Sequence, residues 1–183
     1  MKCTTITFKI LMVSMLLMVS ACNKENDNDD PKNTEEHSYD MTITGESLNS
    51  PIVLKGTVPV DDINSDRTLS SIYSTASGGY INLNINTPDL YVQSTILMPN
   101  DTPLPFAEKR GEGSELYISI DQSRFIQSVS GSVSLKDLEL KRFSEINSYT
   151  GYILTFEGIF EDQNTSDPNE YEVSGTITVK LPS

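Results

Sequence analysis

Tyr171-Glu172-Val173-Ser174-Gly175-Thr176-Ile177-Thr178-Val179-Lys180-Leu181 alternates with a period of two: the odd positions are apolar or glycine and the even ones polar. Successive side chains of a strand point to opposite faces, so this is the pattern of a strand with one face in a core and one in water. The same period recurs upstream, with Gly, Pro, Asn and Asp clusters between the runs. It predicts strands near Tyr39–Thr44, Ile52–Val60, Leu69–Thr75, Tyr80–Asn86, Leu90–Met98, Glu115–Asp121, Phe125–Leu140 (broken into two pieces), Gly151–Phe160 and Tyr171–Leu181. Nine antiparallel strands and no sustained helical stripe predict an all-β fold, a single two-sheet β-sandwich, with a flattened β-barrel as the alternative.

Local chemistry refines the pattern. Gly78-Gly79 supplies the positive φ angles of a tight two-residue hairpin, and Asn86-Thr87-Pro88-Asp89 is a second turn. Pro59 removes a ladder donor and marks an edge strand or its end, where an unprotected edge would invite a partner strand. Glycines interrupt otherwise regular strands at Lys55-Gly56-Thr57, Ser130-Gly131-Ser132, Ser174-Gly175-Thr176 and Glu157-Gly158-Ile159, the signature of bends or of an aromatic ring lying close to the backbone. Their spacing is too uneven for a solenoid or propeller. Pro99 to Gly113 holds three prolines and two glycines, with Leu104 and Phe106 as its apolar anchors. It is expected to cross between sheets or, as the second reading, to touch a ligand.

The N-terminus has different chemistry. Lys2 and Lys9 precede Ile10-Leu-Met-Val-Ser-Met-Leu-Leu-Met-Val19, followed by Ser20-Ala21-Cys22. The apolar run falls well short of the about 20 residues that span a bilayer, so it reads as a secretory leader. Val19-Ser20-Ala21-Cys22 resembles the bacterial lipobox, in which the Cys takes a diacylglyceryl group through its thiol and becomes the acylated first residue. The resemblance implies a signal peptide over residues 1–21 and lipid attachment at Cys22, a membrane anchor whose chains each contribute about 0.8 kcal/mol per buried methylene. Cys3 would leave with the leader and Cys22 be consumed by lipid, so the folded part would have no disulfide and rely on its core.

Residues 23–38 carry six acids and two lysines with no aliphatic or aromatic side chain. They are expected to form, with Cys22, an acidic tether over residues 22–38, with the all-β domain at 39–183. Lys24-Glu25 and Asp29-Asp30 resemble the surface-export signal of small Bacteroidota surface lipoproteins. That implies an outer-membrane protein displayed at the cell surface, the periplasmic face being the alternative. Loss of Lys2 and Lys9 takes the formal charge from −13 to −15, and a surface of this sign repels phosphate backbones and anionic lipid headgroups, which argues against nucleic acid as a partner and against peripheral membrane insertion.

Catalytic motifs are sparse. The single histidine, His37, falls in the expected tether, so neither a Ser-His-Asp arrangement nor a histidine metal centre has an imidazole to use. Asp62-Ile63-Asn64-Ser65-Asp66 has the spacing of a calcium loop, but Arg67 replaces the required Gly and Tyr73 the bidentate Glu. Asp162, Asn164 and Asp167 make a looser oxygen cluster. Glu115, Asp121, Glu139, Glu157 and Glu161 lie on or beside strands without a spacing that singles out a hydrolytic pair. Tyr73, Tyr80, Tyr91 and Tyr117 alternate with apolar neighbours and are expected mostly as core or rim residues; as the second reading, a shared outward face would make a glycan or protein contact patch.

The sequence therefore predicts a non-catalytic binding or accessory module for a glycan or protein ligand, with no cofactor, no metal and no catalytic residue assigned. A structural subunit of an envelope complex is the second class and a small hydrolase the third. Oligomeric state is not encoded in any of these signals. Cys22→Ala is expected to abolish incorporation of radiolabelled palmitate and detergent-phase partitioning; unchanged partitioning would show that the thiol carries no anchor.

Overall fold

The computed structural model describes residues 35–60, 71–107, 109, 111–120, 124–163 and 168–182, the side chains of Ser71 and Tyr73 excepted. The leader, Cys22 and the tether up to residue 34 lie outside them, as does the calcium-loop stretch Asp62 to Asp66. Ten antiparallel strands form: β1 (Glu36–Thr44), β2 (Ile52–Pro59), β3 (Ser71–Ser77), β4 (Tyr80–Asn86), β5 (Leu90–Leu97), β6 (Phe106–Ala107), β7 (Glu115–Ile120), β8 (Arg124–Arg142), β9 (Ser148–Asp162) and β10 (Glu170–Val179). No helix among the described residues is long and apolar enough to cross a membrane.

The strands run in the order β2-β1-β10-β9-β3-β4-β5-β7-β8-β6, with a further pairing of β8 to β9. That last pairing closes β3, β4, β5, β7, β8 and β9 into a six-stranded barrel from which β10, β1 and β2 extend. The fold is all-β as expected, and of the two architectures read from the sequence it is the barrel. The reason is β8. Instead of breaking in two to feed separate sheets, it runs 19 residues, pairing first with β7 and then with β6 on one edge, and with β9 on the other.

Two register shifts let β8 serve both walls. Ile126 and Ser128 point inward; the shift between Ser128 and Ser130 moves the inward phase to Gly131, Val133 and Leu135. A second, between Lys136 and Glu139 with Asp137 at φ 54°, returns it to Leu138 and Leu140. Each bulge adds one residue and bends the strand. Gly131, at φ 140°, sits opposite Gly158 of β9, and a Cβ on either residue would collide with backbone of the other strand. The bend requires that pair.

Phe106 explains the long loop after β5. Its ring meets Phe156 and Phe160 edge-on, at centroid distances of 6.3 and 5.7 Å, and is buried in the core. Ser114 fastens the loop, with its hydroxyl donating to the Leu104 carbonyl at 2.6 Å and accepting from the Leu97 amide at 3.2 Å. The two-residue strand β6 that carries Phe106 has no periodic signal in the sequence. The Gly78-Gly79 hairpin forms as expected, with φ angles of 58° and 84°. Strand β2 is the edge strand and ends at Pro59.

Closure at β3 is narrow. Backbone pairing there is confined to Thr75 with Tyr149 and Ala76 with Ser148. Ser74 reinforces it: its hydroxyl donates to the Asn82 carbonyl at 2.8 Å and so accepts from the buried Tyr152 hydroxyl, also at 2.8 Å. Burial pushes the Tyr152 hydroxyl well above its ordinary pKa, an effect the Ser74 bond partly opposes. Tyr152→Phe removes one hydrogen bond and is expected to cost about 1 kcal/mol. Ser74→Ala strands both the Tyr152 hydroxyl and a carbonyl and is expected to cost about 1–3 kcal/mol, so the serine variant should show the lower urea midpoint.

Candidate functional site

Outward-facing residues of β4, β5, β7 and the start of β8 are assembled by register. Asn84, Gln93, Tyr117 and Gln127 lie in one cross-strand row, and Asn86, Tyr91, Ser119 and Phe125 in the next, although Ser119 itself is buried. Neighbours in a row are about 4.8 Å apart and rows about 6.8 Å apart, the scale of one to two sugar rings. Asn82, Thr95 and Glu115 make the third row, and Tyr80 extends the face beyond it. The inward partners of these residues, Ile81, Leu83, Ile85, Val92, Leu116, Ile118 and Ile126, are core, which fixes the outward direction of the set.

This face presents amides, hydroxyls and aromatic rings with almost no charge. Tyr80, Tyr91 and Phe125 are 37%, 36% and 41% exposed, so three rings reach water on one face. The Tyr91 hydroxyl donates to Gln93 at 3.3 Å and the Thr95 hydroxyl to Asn82 at 3.2 Å, so the polar groups hold one another in place. Glu115, its carboxylate, is largely buried and accepts from the Gly111 amide at 3.2 Å and the Tyr117 hydroxyl at 3.4 Å.

Tyr80, Tyr91 and Tyr117 share this outward face, the second of the two positions expected for them; Tyr73 pairs with Asn84, and its side chain lies outside the described residues. Sequence reading missed the amides. The signal was present in Tyr80-Ile-Asn-Leu-Asn-Ile-Asn86, where asparagine, disfavoured in strands, takes three successive outward positions.

A different outer face carries a trough of about 770 Å³ over β1, β10, β9 and β8, lined by Asp40, Thr42, Ser132, Thr155, Glu157 and Ser174. Lys55 neutralises Asp40 at 2.5 Å, and Glu157 accepts from Ser132 at 3.4 Å. The carboxylates singled out from sequence are scattered. Glu157 lies in the trough and Glu161 further along β9, Glu115 on the tyrosine face, Glu139 toward the end of β8, and Asp121 outside the described residues. Of the loose oxygen cluster, Asp162 ends β9, while Asn164 and Asp167 lie outside the described residues. Among the described residues no cluster of three metal-ligating side chains forms.

His37 requires a correction. It is not tether: β1 begins at Glu36, and the ring is 3% exposed in a strand paired with β2 and β10. The polar composition around it hid a strand start, because the flanking strands, not its own neighbours, provide the apolar cover. Its Nδ1 accepts from the Lys180 amide at 3.0 Å, which places the proton of the neutral ring on Nε2. No protein-family model, curated protein or solved structure matches the chain.

Burial lowers the His37 pKa from 6.5 to about 4, so the folded state resists a proton that the unfolded chain accepts. Above pH 6.5 both states are neutral and the group is silent. Between pH 6.5 and about 4 stability falls by about 1.4 kcal/mol per unit on its account. His37→Asn keeps an acceptor for the Lys180 amide and is expected to remove this acid-side slope in denaturation measured across that range.

Proposed function

We propose that the chain is a lipid-anchored, non-catalytic binding module that captures a glycan on the outer face of β4, β5, β7 and β8. The observation that carries this reading is an amide and aromatic surface whose one carboxylate among the described residues, Glu115, is largely buried, in a chain of net charge −13. Sugars present alternating C–H faces and hydroxyls. Rings such as Tyr91 and Phe125 cover the former, and side-chain amides, each both donor and acceptor, answer the latter. A neutral polysaccharide chain fits better than an anionic one, since the face offers no arginine or lysine among its described outward residues. The lipobox resemblance at Cys22 supports anchoring at the outer membrane, and the acidic stretch after it supports display at the cell surface.

A second reading, assembly with another envelope protein, is favoured by one observation: among the described residues β2 pairs only with β1, so its other edge has no described partner strand. Pro59 at its end and the exposed Lys55–Asp40 pair on its outer side limit that edge.

Affinity electrophoresis in gels cast with neutral polysaccharides tests the glycan reading. Tyr91→Ala and Gln93→Ala are each expected to weaken retention about five- to thirty-fold, or about 1–2 kcal/mol, with unfolding midpoints unchanged. Retention that ignores both substitutions would remove this face from binding.

A further inference from the structure

The hairpin joining β8 and β9 carries the largest exposed apolar side chains grouped in one place: Leu138, Leu140, Phe143 and Ile146 are 38%, 58%, 50% and 75% exposed. This is not fraying. The Arg142 Nε donates to the Ser144 carbonyl at 2.8 Å and its Nη2 to the Glu145 carbonyl; the Asn147 amide donates to the Ser144 hydroxyl at 3.0 Å, and the Phe143 and Ser144 amides both donate to the Asn147 carbonyl at 3.2 Å. Phe143 stacks on Tyr149 at 4.4 Å between centroids. The turn is built, and it holds Ile146 out in water.

Its bulge contributes to the same end. The extra residue at Asp137 turns Leu138 and Leu140, rather than Asp137 and Glu139, to the core side of β8. There they overhang the Gly78-Gly79 turn and Met98, opening a cleft of about 260 Å³ with Ile146 at its rim.

Register places this tip at a specific end of the fold. Ser38 of β1 lies in one row with Thr178, Ile153 and Lys136, and β9 runs parallel to β1, so the turn lies beyond the end at which the chain enters β1. Asn147 precedes Ile153 by six positions, which carries the tip about 20 Å past that row. The 13 residues from Asn23 to Glu35 have a contour of at most about 45 Å. That length is enough for a lipid on Cys22 and the tip to meet one membrane plane. The hairpin also offsets Asp137, Glu139 and Glu145 with Lys136, Lys141 and Arg142, an electrically balanced segment in a strongly acidic chain. It escapes the repulsion that the rest of the surface has for anionic headgroups.

We propose that the β8–β9 hairpin tip inserts Phe143, Leu140 and Ile146 into the bilayer surface that holds the Cys22 lipid. This second contact would fix how the domain stands on the membrane. The inference rests on the anchoring reading above.

The chain contains no tryptophan, so one introduced indole reports without background. Ile146→Trp and, on β2 at the opposite end of the sheet, Val53→Trp, at a site 63% exposed, would each be made in the full chain, purified with its anchor and reconstituted into phosphatidylcholine vesicles brominated on the acyl chains. The expected result is a blue-shifted indole at position 146, quenched several-fold more than the one at position 53. A lipidated Cys22, established by mass, with equal quenching at both positions overturns the hairpin inference alone. An unmodified Cys22 removes the anchoring reading and this one with it. A blue shift already present in detergent solution, with light scattering giving a dimer, would assign the patch to a second copy and overturn insertion.

Discussion

One strand serves three neighbours, and the fold depends on how it divides itself among them. Along one edge β9 pairs with β8; along the other it pairs with β10 from Tyr152 to Glu161 and with β3 at Ser148 and Tyr149. Tyr152 stands at the handover. It is the last residue paired to β10, and its hydroxyl reaches Ser74 of β3. The sheet is continuous there through the backbone pairs Thr75–Tyr149 and Ala76–Ser148, and the Tyr152–Ser74 bond adds a side-chain link beside them. A buried hydroxyl pair in place of apolar contact specifies the join more sharply, because an unmatched partner there is costly.

Strand β8 is the counterpart on the opposite side of the core. Two bulges and the Gly131–Gly158 contact let a single strand leave one wall and enter the other while keeping a side-chain row inward throughout. That switch also sorts the surface. Before the bend, outward residues of β8 join a face of amides and rings; after it, Ser132 and Ser134 join a trough of hydroxyls and carboxylates. Backbone irregularity at one place thus gives the molecule two chemically distinct outer faces.

Most of the fold was legible in the sequence because period-two alternation depends on the strand's own residues. Tyr80–Asn86 was read to the residue, and β10 to within two. Legibility failed where the deciding contact is remote. Glu36 to Ser38 look like tether because their cover comes from β2 and β10. Phe106–Ala107 is too short to show a period. The length of β8 was hidden by its own phase changes: Ile126 and Ser128 are even, Gly131 to Leu135 odd, Leu138 and Leu140 even again, and a pattern that slips twice reads as a broken strand. The candidate site was half visible. Its tyrosines stand out singly, but the rows that join them to Asn84, Gln93 and Gln127 exist only through pairing register.

Charge organises what these surfaces can do. Acidic side chains lie in the trough and along the exposed sides of β9 and β10, whereas the amide face has one carboxylate, already engaged by an amide and a hydroxyl, and the hairpin tip is balanced. At physiological ionic strength fields fade over about 8 Å, so acids on one face have little influence on another. A chain of this composition can therefore repel its own copies through most of its surface and still offer neutral ligands two faces free of that field. Contacts of this kind are governed by ring stacking, amide hydrogen bonds and apolar burial, and so vary little with salt. That separates them from the counterion-dependent binding by which a strongly charged envelope protein would engage a polyion.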